Sequence, residues 1–511
     1  MPTKAPKSAR HLEVERKFDV VESTVTPSFE GIAAVARVEK SPTEELDAVY
    51  FDTPGQDLAR NRITLRRRTG GSDAGWHLKL PAGPDSRTEI HAPLDASDSD
   101  TVPAELLDVV LAIVRDRPVE PVARITTRRE IQVLYGADGA ALAEFCNDHV
   151  TAWSAADTDD TGPAEQQWRE WELELRGTDE KRNGNADLQL LDRLSNRLLD
   201  AGAAPAGHGS KLAKVLGSTA QPAPGPEPTD PVHRAVAQQV DELLVWDRAV
   251  RADVFDSVHQ MRVTTRKIRS LLKESRESFG LADDAWVLNE MRELAGVLGV
   301  ARDAEVLGER YERALKSLDP ALVRGPVWER LVDGAQRRYQ AGLRRSLSAM
   351  RSKRYFRLLD ALDAIATAPP VTVSGQEPAP VTIDAAYRGV RKAAKKALAA
   401  EKVAEQAADA DEALHAIRKR AKRLRYTAAA TGANRVAQQA KVIQTLLGDH
   451  QDSAVSREHL LTQADLAHAA GEDTFTYGLL YQLESDLADS SRQQLDAALS
   501  ALDKAVRADR R

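Results

Sequence analysis

The sequence predicts an α+β protein, with a strand-rich N-terminal half whose antiparallel sheet closes into a barrel with flanking helices, followed by an all-α half of two similar units. Three observations carry this. Alternation of period two dominates up to about residue 217. The stretch STAQPAPGPEPTD at 218–230 then removes all periodicity. Beyond it the pattern is helical, and it repeats.

Length and composition set the frame. At 511 residues the chain exceeds a single ordinary core, and 42% hydrophobic with 29% charged residues is typical of globular proteins. The N-terminal MPTKAPKSAR has no apolar core of a signal peptide, and no run approaches the roughly 20 apolar residues of a membrane span. A cytoplasmic protein without membrane contact is the expectation. The only cysteine, Cys146, excludes an internal disulfide framework and a multi-thiolate zinc site, so any metal would have oxygen or nitrogen ligands. The net charge of -7 hides an asymmetry: residues 1–230 hold 27 Lys and Arg against 39 Asp and Glu, and residues 231–511 hold 44 against 39.

Candidate strands run over 12–19, 62–69, 75–80, 87–92, 123–134, 141–147 and 168–176, with helices near 104–115 and 187–200. SAADTDDTGPAEQQ at 154–167 reads as a solvated loop. In HLEVERKF, residues 11–18, alternation sets Glu13, Glu15 and Lys17 against Leu12, Val14, Arg16 and Phe18. ITLRRRTG places Arg66 and Arg68 together, and WHLKLP sets Lys79 against Trp76, Leu78 and Leu80. Arg87 shares a face with Glu89, and Arg124 with Arg128. Near the domain end Glu170, Glu172 and Glu174 alternate with Trp171, Leu173 and Leu175.

Any one such strand is read most simply as the wet face of a sheet. Together, acidic and basic strands each backed by large apolar residues suggest a barrel that buries the apolar set under outer packing and turns the charged set into its lumen. Clustered carboxylates call for a cation, and hard oxygen donors favour Mg²⁺ or Mn²⁺. Facing Arg and Lys suit a polyanion. Metal and guanidinium around phosphates is what phosphoryl transfer needs.

Glu13-Val-Glu15-Arg-Lys17 resembles the ExExK signature of the CYTH domain, or triphosphate tunnel metalloenzyme family. The resemblance runs over roughly residues 10–216, through YFDT at 50–53, LRRR at 65–68, Lys79, the Arg128 strand, the acidic last strand and Ser210-Lys211. It implies an eight-stranded antiparallel tunnel that binds triphosphate and hydrolyses it with a divalent metal, Mg²⁺ or Mn²⁺. On this sequence it implies Glu13, Glu15, Glu172 and Glu174, with Glu144 or Glu170, as metal ligands. Lys17, Arg66, Arg68, Lys79, Arg87, Arg124, Arg128 and Lys211 would hold the phosphates. Glu13, Glu15 and Lys17 form the catalytic signature, with water attacking a terminal phosphorus while a tunnel carboxylate takes its proton.

In the helical half, His259, Arg262, Arg266 and Arg269 recur at the same offsets as His415, Arg418, Lys422 and Arg425. Lys273 extends the first stripe, and Lys419, Arg420 and Arg423 widen the second. LGVARDAEV at 298–306 is answered by LGDHQDSAV at 447–455. Like charges at helical spacing repel, so a solvated face, acidic neighbours or a polyanion must compensate them. Aromatics and amides for base readout are nearly absent, so sequence-specific nucleic-acid binding is not expected and inorganic polyphosphate fits better. No HxxxH pair, GxxxxGK[ST] loop or GxGxxG turn is present.

HxxRxxxRxxR followed by LGxxRD, repeated with Lys422 for Arg266 and Gln451 for Arg302, is similar to the CHAD domain over roughly residues 231–508. That resemblance implies two tandem four-helix bundles that bind polyphosphate through these residues, including His259, Arg302 and His415. The expected organisation is thus a disordered N-terminus at 1–10, a tunnel domain at 11–217, a linker at 218–230, and a helical domain at 231–508. Its repeats fall at about 231–367 and 382–508, around a linker at 368–381. The expected function is hydrolysis of tripolyphosphate or short polyphosphate. The alternatives are a non-catalytic polyphosphate-binding protein, or a thiamine triphosphatase, nucleoside triphosphatase or adenylate cyclase of the same fold.

Overall fold

The structure is a computed structural model. It describes residues 9–94, 101–159, 162–177, 184–217, 230–282, 285–368, 383–401, 407–430 and 432–509. The expected linkers and most of the expected disordered N-terminus lie outside them.

Ten strands form one sheet: β1 (Ala9–Val20), β2 (Arg37–Lys40), β3 (Glu44–Asp52), β4 (Thr64–Thr69), β5 (Gly75–Pro81), β6 (Ser86–Ala92), β7 (Glu120–Tyr135), β8 (Ala141–Asp159), β9 (Gly162–Leu175) and β10 (Ala204–Pro205). Eight close into an antiparallel barrel in the order β1-β6-β5-β4-β3-β7-β8-β9, with β9 returning to β1. β2 and β10 add to β7 and β1. Closure is visible on β1: its first half pairs with β6, Glu13 opposite Arg87, and its second half with β9, Glu15 opposite Glu174. At the end of β4, Gly70 has φ +78° and a Cβ there would meet the Glu45 carbonyl, so only glycine fits.

The outward apolar faces are covered by helices, as period two demands. α4 (Gly184–Asp200) lays Leu191, Leu194 and Leu198 on Phe18, Phe145, Trp171 and Leu173. α2 (Ala104–Val109) and α3 (Leu111–Val114), with the short α1 (Asp57–Arg60), cover Leu65, Trp76, Leu78 and Ile90. α5 (Lys211–Leu216), capped by Ser210, differs: it packs Leu212, Val215 and Leu216 with Tyr50 and Ile125 of the cavity side and with Val150.

Two expectations are corrected. Over its described residues the stretch 154–167 is no loop: β8 runs on to Asp159 and β9 begins at Gly162, with a register shift between Trp153 and Thr158. β2 and β3 were not expected either; the inward face of β3 is Glu44, Leu46, Ala48 and Tyr50, too apolar to stand out from the outward one.

The described residues from 230 onward are mostly helical: α6 (Pro231–Arg251), α7 (Ser257–Glu274), α8 (Trp286–Ser317), α9 (Val327–Met350), α10 (Lys353–Thr367), α11 (Ile383–Glu401), α12 (Ala407–Ala430), α13 (Asn434–Ala469) and α14 (Phe475–Asp509). Asp230 caps α6 ahead of Pro231. By packing, the chain falls into two compact units, residues 1–295 with 347–371, and 296–346 with 372–511, dividing inside α8 and α9.

In the first unit, Arg115 at the end of α3 pairs with Asp360 and Asp363 of α10. Arg251 pairs with Asp247 at 2.5 Å and Asp108 at 3.1 Å, and Tyr355 donates to Asp247 at 2.8 Å. In the second unit, Val390, Ile417, Leu424, Ile443 and Leu502 make the core of α11–α14. A second cluster joins Tyr311 and Leu331 to Leu460 and Tyr477, beside Arg310, which holds Glu484 in a bidentate pair.

Trp171→Ala should lower stability by about 3–5 kcal/mol, because its fully buried ring leaves a cavity under α4. Leu12→Ala, on the same side of the sheet but exposed, should cost within about 0.5 kcal/mol. Thermal or urea unfolding of the full chain reads both.

Candidate functional site

The barrel interior holds a cavity of about 400 Å³, within the range of roughly 300–1,000 Å³ for small-ligand sites. All eight barrel strands contribute to its wall, and α5 adds Lys211. Eight Lys and Arg side chains face eight Asp and Glu. Such a wall repels apolar ligands. It also has little net positive charge of its own, so a polyanion entering it would need an accompanying cation.

Alternation on β1 puts Glu13, Glu15 and Lys17 inside, with His11 on the same parity. Arg66 and Arg68 enter from β4, Lys79 from β5, Arg87 from β6, Glu144 from β8, and Glu172 and Glu174 from β9. Glu170 is buried beside Lys211. Arg124 and Arg128 do not face the cavity. Arg124 pairs on the exposed surface with Asp47 at 2.6 Å and Arg128 with Glu130 at 3.1 Å, while the neighbouring Arg129 points inward. In TTRRE two consecutive arginines leave the parity open, and Ile125 and Ile131 on the cavity side make that face look like the packed one.

The charges settle into two groups. In one, Lys211 reaches Glu172 at 2.7 Å and Asp148 and Glu170 at 2.8 Å. Arg129 joins Asp148 at 2.6 Å and Glu172 at 2.5 Å. Burial would raise the Asp148 and Glu172 carboxyls, yet these cations hold both below the ordinary range, and Lys211 and Arg129 rise in return. Lys17 ties this group to β1, touching Glu172 and lying 2.9 Å from Glu15. Glu15 is buried too, but Lys17 and Lys79 pull it down to about 2.

The second group is less compensated. Burial pushes Glu13 up to about 7 although Lys79 lies 2.6 Å away, and burial raises Glu174 as well. Glu89 is held low despite burial by His11, His77 and Lys79. Burial, with Arg66 and Arg68 beside it, drops His77 to about 4. Arg68, buried next to Arg66, falls to about 10 and stays charged at neutral pH, pairing with Asp73.

Among the described residues, two sets of possible metal-ligand atoms lie within 4.8 Å of one another: His11, Glu13 and Glu89, and Asp148, Glu170 and Glu172. The second is already neutralised by Lys17, Lys211 and Arg129. The first suits a divalent cation, because Glu13 is buried without full compensation. The sequence reading missed His11, Glu89, His77, Asp148 and Arg129. The parity of His11 with Glu13, and of Glu89 with Arg87, was the available signal.

Two domain families match in order, a CYTH domain over residues 11–198 and a CHAD domain over residues 234–461. The chain is a CYTH–CHAD protein. Two uncharacterized proteins of Mycobacterium tuberculosis, MT2285 of strain CDC 1551 and Rv2226 of strain H37Rv, are each 73% identical over 517 residues, covering 99% of both chains, and it belongs to their family. A solved CHAD domain from the plant Ricinus communis is 21% identical and covers 53% of this chain and 90% of its own, with a TM-score of 0.39. HpAC1 from Hippeastrum, described with a dominant triphosphatase activity, is 16% identical and covers 42% and 97%, with a TM-score of 0.23. CYTH and CHAD domains point to phosphate- or polyphosphate-type substrates. Among the described residues no helix is long and apolar enough to cross a membrane.

In the CHAD domain the basic stripes lie beside buried core positions. On α7, Arg266 and Lys273 are exposed and His259, Arg262 and Arg269 half-buried, next to buried Met261, Ile268 and Leu272. Arg269 donates to the Leu288 carbonyl at 3.2 Å. On α12, His415 meets Gln451 at 3.2 Å, so the glutamine that departs from the first repeat is engaged by the histidine. Arg418 lies over Gly448 of LGDHQD, where a Cβ would be in ordinary contact with its guanidinium at 3.5 Å. Lys419 and Arg423 are exposed, Lys422 and Arg425 flank Tyr426, and Arg302 pairs with Glu305 at 2.8 Å.

Lys211→Met should destabilise the full chain by about 3–5 kcal/mol, since it strips one cation from three buried carboxylates. Asp148 and Glu172 have depressed pKa values, so their pairing stabilises the fold above the ordinary carboxylate range and loses that contribution as pH falls through the depressed values. The deficit of the variant should therefore be full near neutral pH and shrink in acid, as urea unfolding across pH will register.

Proposed function

We propose that this protein is a metal-dependent inorganic triphosphatase. Its tunnel domain, about residues 11–217, would cleave tripolyphosphate or short polyphosphate, and its helical domain, about 231–508, would bind polyphosphate. The observation that carries the reading is the enclosed cavity in which cationic side chains and under-compensated carboxylates face each other from all eight strands.

Lys17, Arg66, Arg68, Lys79, Arg87 and Lys211, with Arg129 in place of Arg128, would grip phosphate oxygens, the guanidiniums in bidentate fashion. Glu13 and Glu15, with Glu174 beside them on the neighbouring β9 and Glu144 next to it on β8, would hold the cation. Mg²⁺ or Mn²⁺ bound there would neutralise phosphate charge and polarise the scissile phosphoryl group. A wall carboxylate would take the proton of the attacking water. Nothing in the wall offers an adenine platform: Tyr50 and the histidines are its only rings, which disfavours a cyclase. A phosphate sensor would need the cations but not the carboxylates.

The basic stripes of α7 and α12 would act as a tether, raising polyphosphate concentration near the tunnel without adding contacts inside it.

Glu13→Ala combined with Glu15→Ala should abolish Mg²⁺- or Mn²⁺-dependent phosphate release from tripolyphosphate while the circular-dichroism spectrum stays unchanged. ATP and thiamine triphosphate assayed beside it should turn over more slowly. Wild-type rates in the double variant would refute the assignment. Separately, Arg262→Ala with Arg418→Ala should weaken binding of long-chain polyphosphate, and the wild-type affinity should fall as salt rises. Fluorescence anisotropy with labelled polyphosphate measures both.

A further inference from the structure

His11 and Glu89 belong to none of the roles assigned above, yet they meet Glu13 inside the tunnel. His11 pairs across the β1–β6 ladder with Glu89. Its Nε2 lies 3.2 Å from Glu89 Oε2 and 3.5 Å from Glu13 Oε1. The other oxygen of each carboxylate is engaged elsewhere: Glu13 Oε2 by Lys79 at 2.6 Å, and Glu89 Oε1 by His77 Nδ1 at 2.6 Å. His77 is itself fixed through Nε2, 3.0 Å from the Asp73 carbonyl. Three donor atoms on one side, each carboxylate oriented from behind by a partner on its second oxygen, is how metal ligands are held.

The spacing agrees. Two ligands at about 2.1 Å from a metal, at angles between octahedral and tetrahedral, stand roughly 3.0–3.5 Å apart. The carboxylates are buried at 4% and 5% exposure, while the His11 side chain is 52% exposed and faces both the cavity and solvent, which gives a cation a way in.

We infer that His11, Glu13 and Glu89 form a one-nitrogen, two-oxygen facial seat for a divalent transition cation, so that the tunnel selects Mn²⁺ over Mg²⁺. An imidazole nitrogen is a poor ligand for Mg²⁺, which favours oxygen and retains its waters, and a better one for first-row transition ions. A facial triad leaves its remaining positions open for water and phosphate oxygens. The inference deepens the triphosphatase reading and rests on it for what the cation is used for.

The test is binding, with hydrolysis scored separately. Pulsed electron paramagnetic resonance of the Mn²⁺-loaded full chain should show nitrogen coupling from one directly bound imidazole, absent in His11→Ala. Calorimetric titration should show Mn²⁺ affinity falling about tenfold or more in that variant and Mg²⁺ affinity changing much less. His11 is half exposed, so the fold should survive, and the wild-type spectrum decides the matter without any variant. No nitrogen coupling in wild type, or a Mn²⁺ affinity unaltered by His11→Ala, overturns the seat. Metal-dependent tripolyphosphate hydrolysis without nitrogen coupling removes the seat and leaves the hydrolase reading; coupling without hydrolysis does the reverse.

Discussion

Everything in the tunnel domain depends on compensation of charge inside a closed barrel. A strand that alternates charged and apolar residues can put either face to water while the sheet is open. Closure removes that freedom. Once Trp171, Leu78 and Phe18 are buried under outer helices, the opposite positions go into the lumen, and every carboxylate there needs a cation from another strand. Glu172 meets Lys17, Arg129 and Lys211 because barrel geometry allows no more distant arrangement.

The two charge groups then differ in kind. Around Asp148, Glu170 and Glu172 the balance is largely internal: Lys17, Lys211 and Arg129 meet three carboxylates, and their pairing offsets the desolvation each ion suffers. Around Glu13 the balance is incomplete, and burial raises its carboxyl to about 7 despite Lys79. A site that binds a cation and a polyanion together has to be under-compensated where the cation sits and over-supplied with guanidinium where the phosphates sit. Arg66 beside Arg68, with Arg68 weakened by its neighbour, is that second condition.

How much of this could be read from the sequence follows from the same physics. Alternation was legible in β1, β4, β5 and β9, where one face is charged and the other holds large apolar side chains. It failed in β7, where threonines and two adjacent arginines make the faces alike, and in β3, whose inward residues are mostly apolar. The extension of β8 to Asp159 and of β9 from Gly162 was unreadable because the small and polar residues there show no apolar alternation. His11 and Glu89 were within reach, since each lies two positions from a residue already placed in the lumen. That Lys211 neutralises Asp148 was beyond reach, because the pair is separated by 63 positions and nothing local to either marks the contact.

The helical stripes obey a different rule. A helix cannot hide like charges by closing on itself; it can only set them against acids or leave them in water. On α12 the basic face is partly answered: burial raises Asp449 and Asp452, opposed first by Arg310 and then in smaller part by Arg418, and Arg425 reaches Gln444 at 3.2 Å. Lys419, Arg420 and Arg423 stay exposed. Exposed ammonium and guanidinium groups at helical spacing are weakly screened repulsions that a flexible anion relieves at little conformational cost to the helix, which is already formed by its buried face of Ile417, Ala421 and Leu424. On the proposed function, binding by such a stripe should therefore be electrostatic and tolerant of chain length, whereas the tunnel, with its fixed cations and about 400 Å³ of space, would limit the length of what it admits.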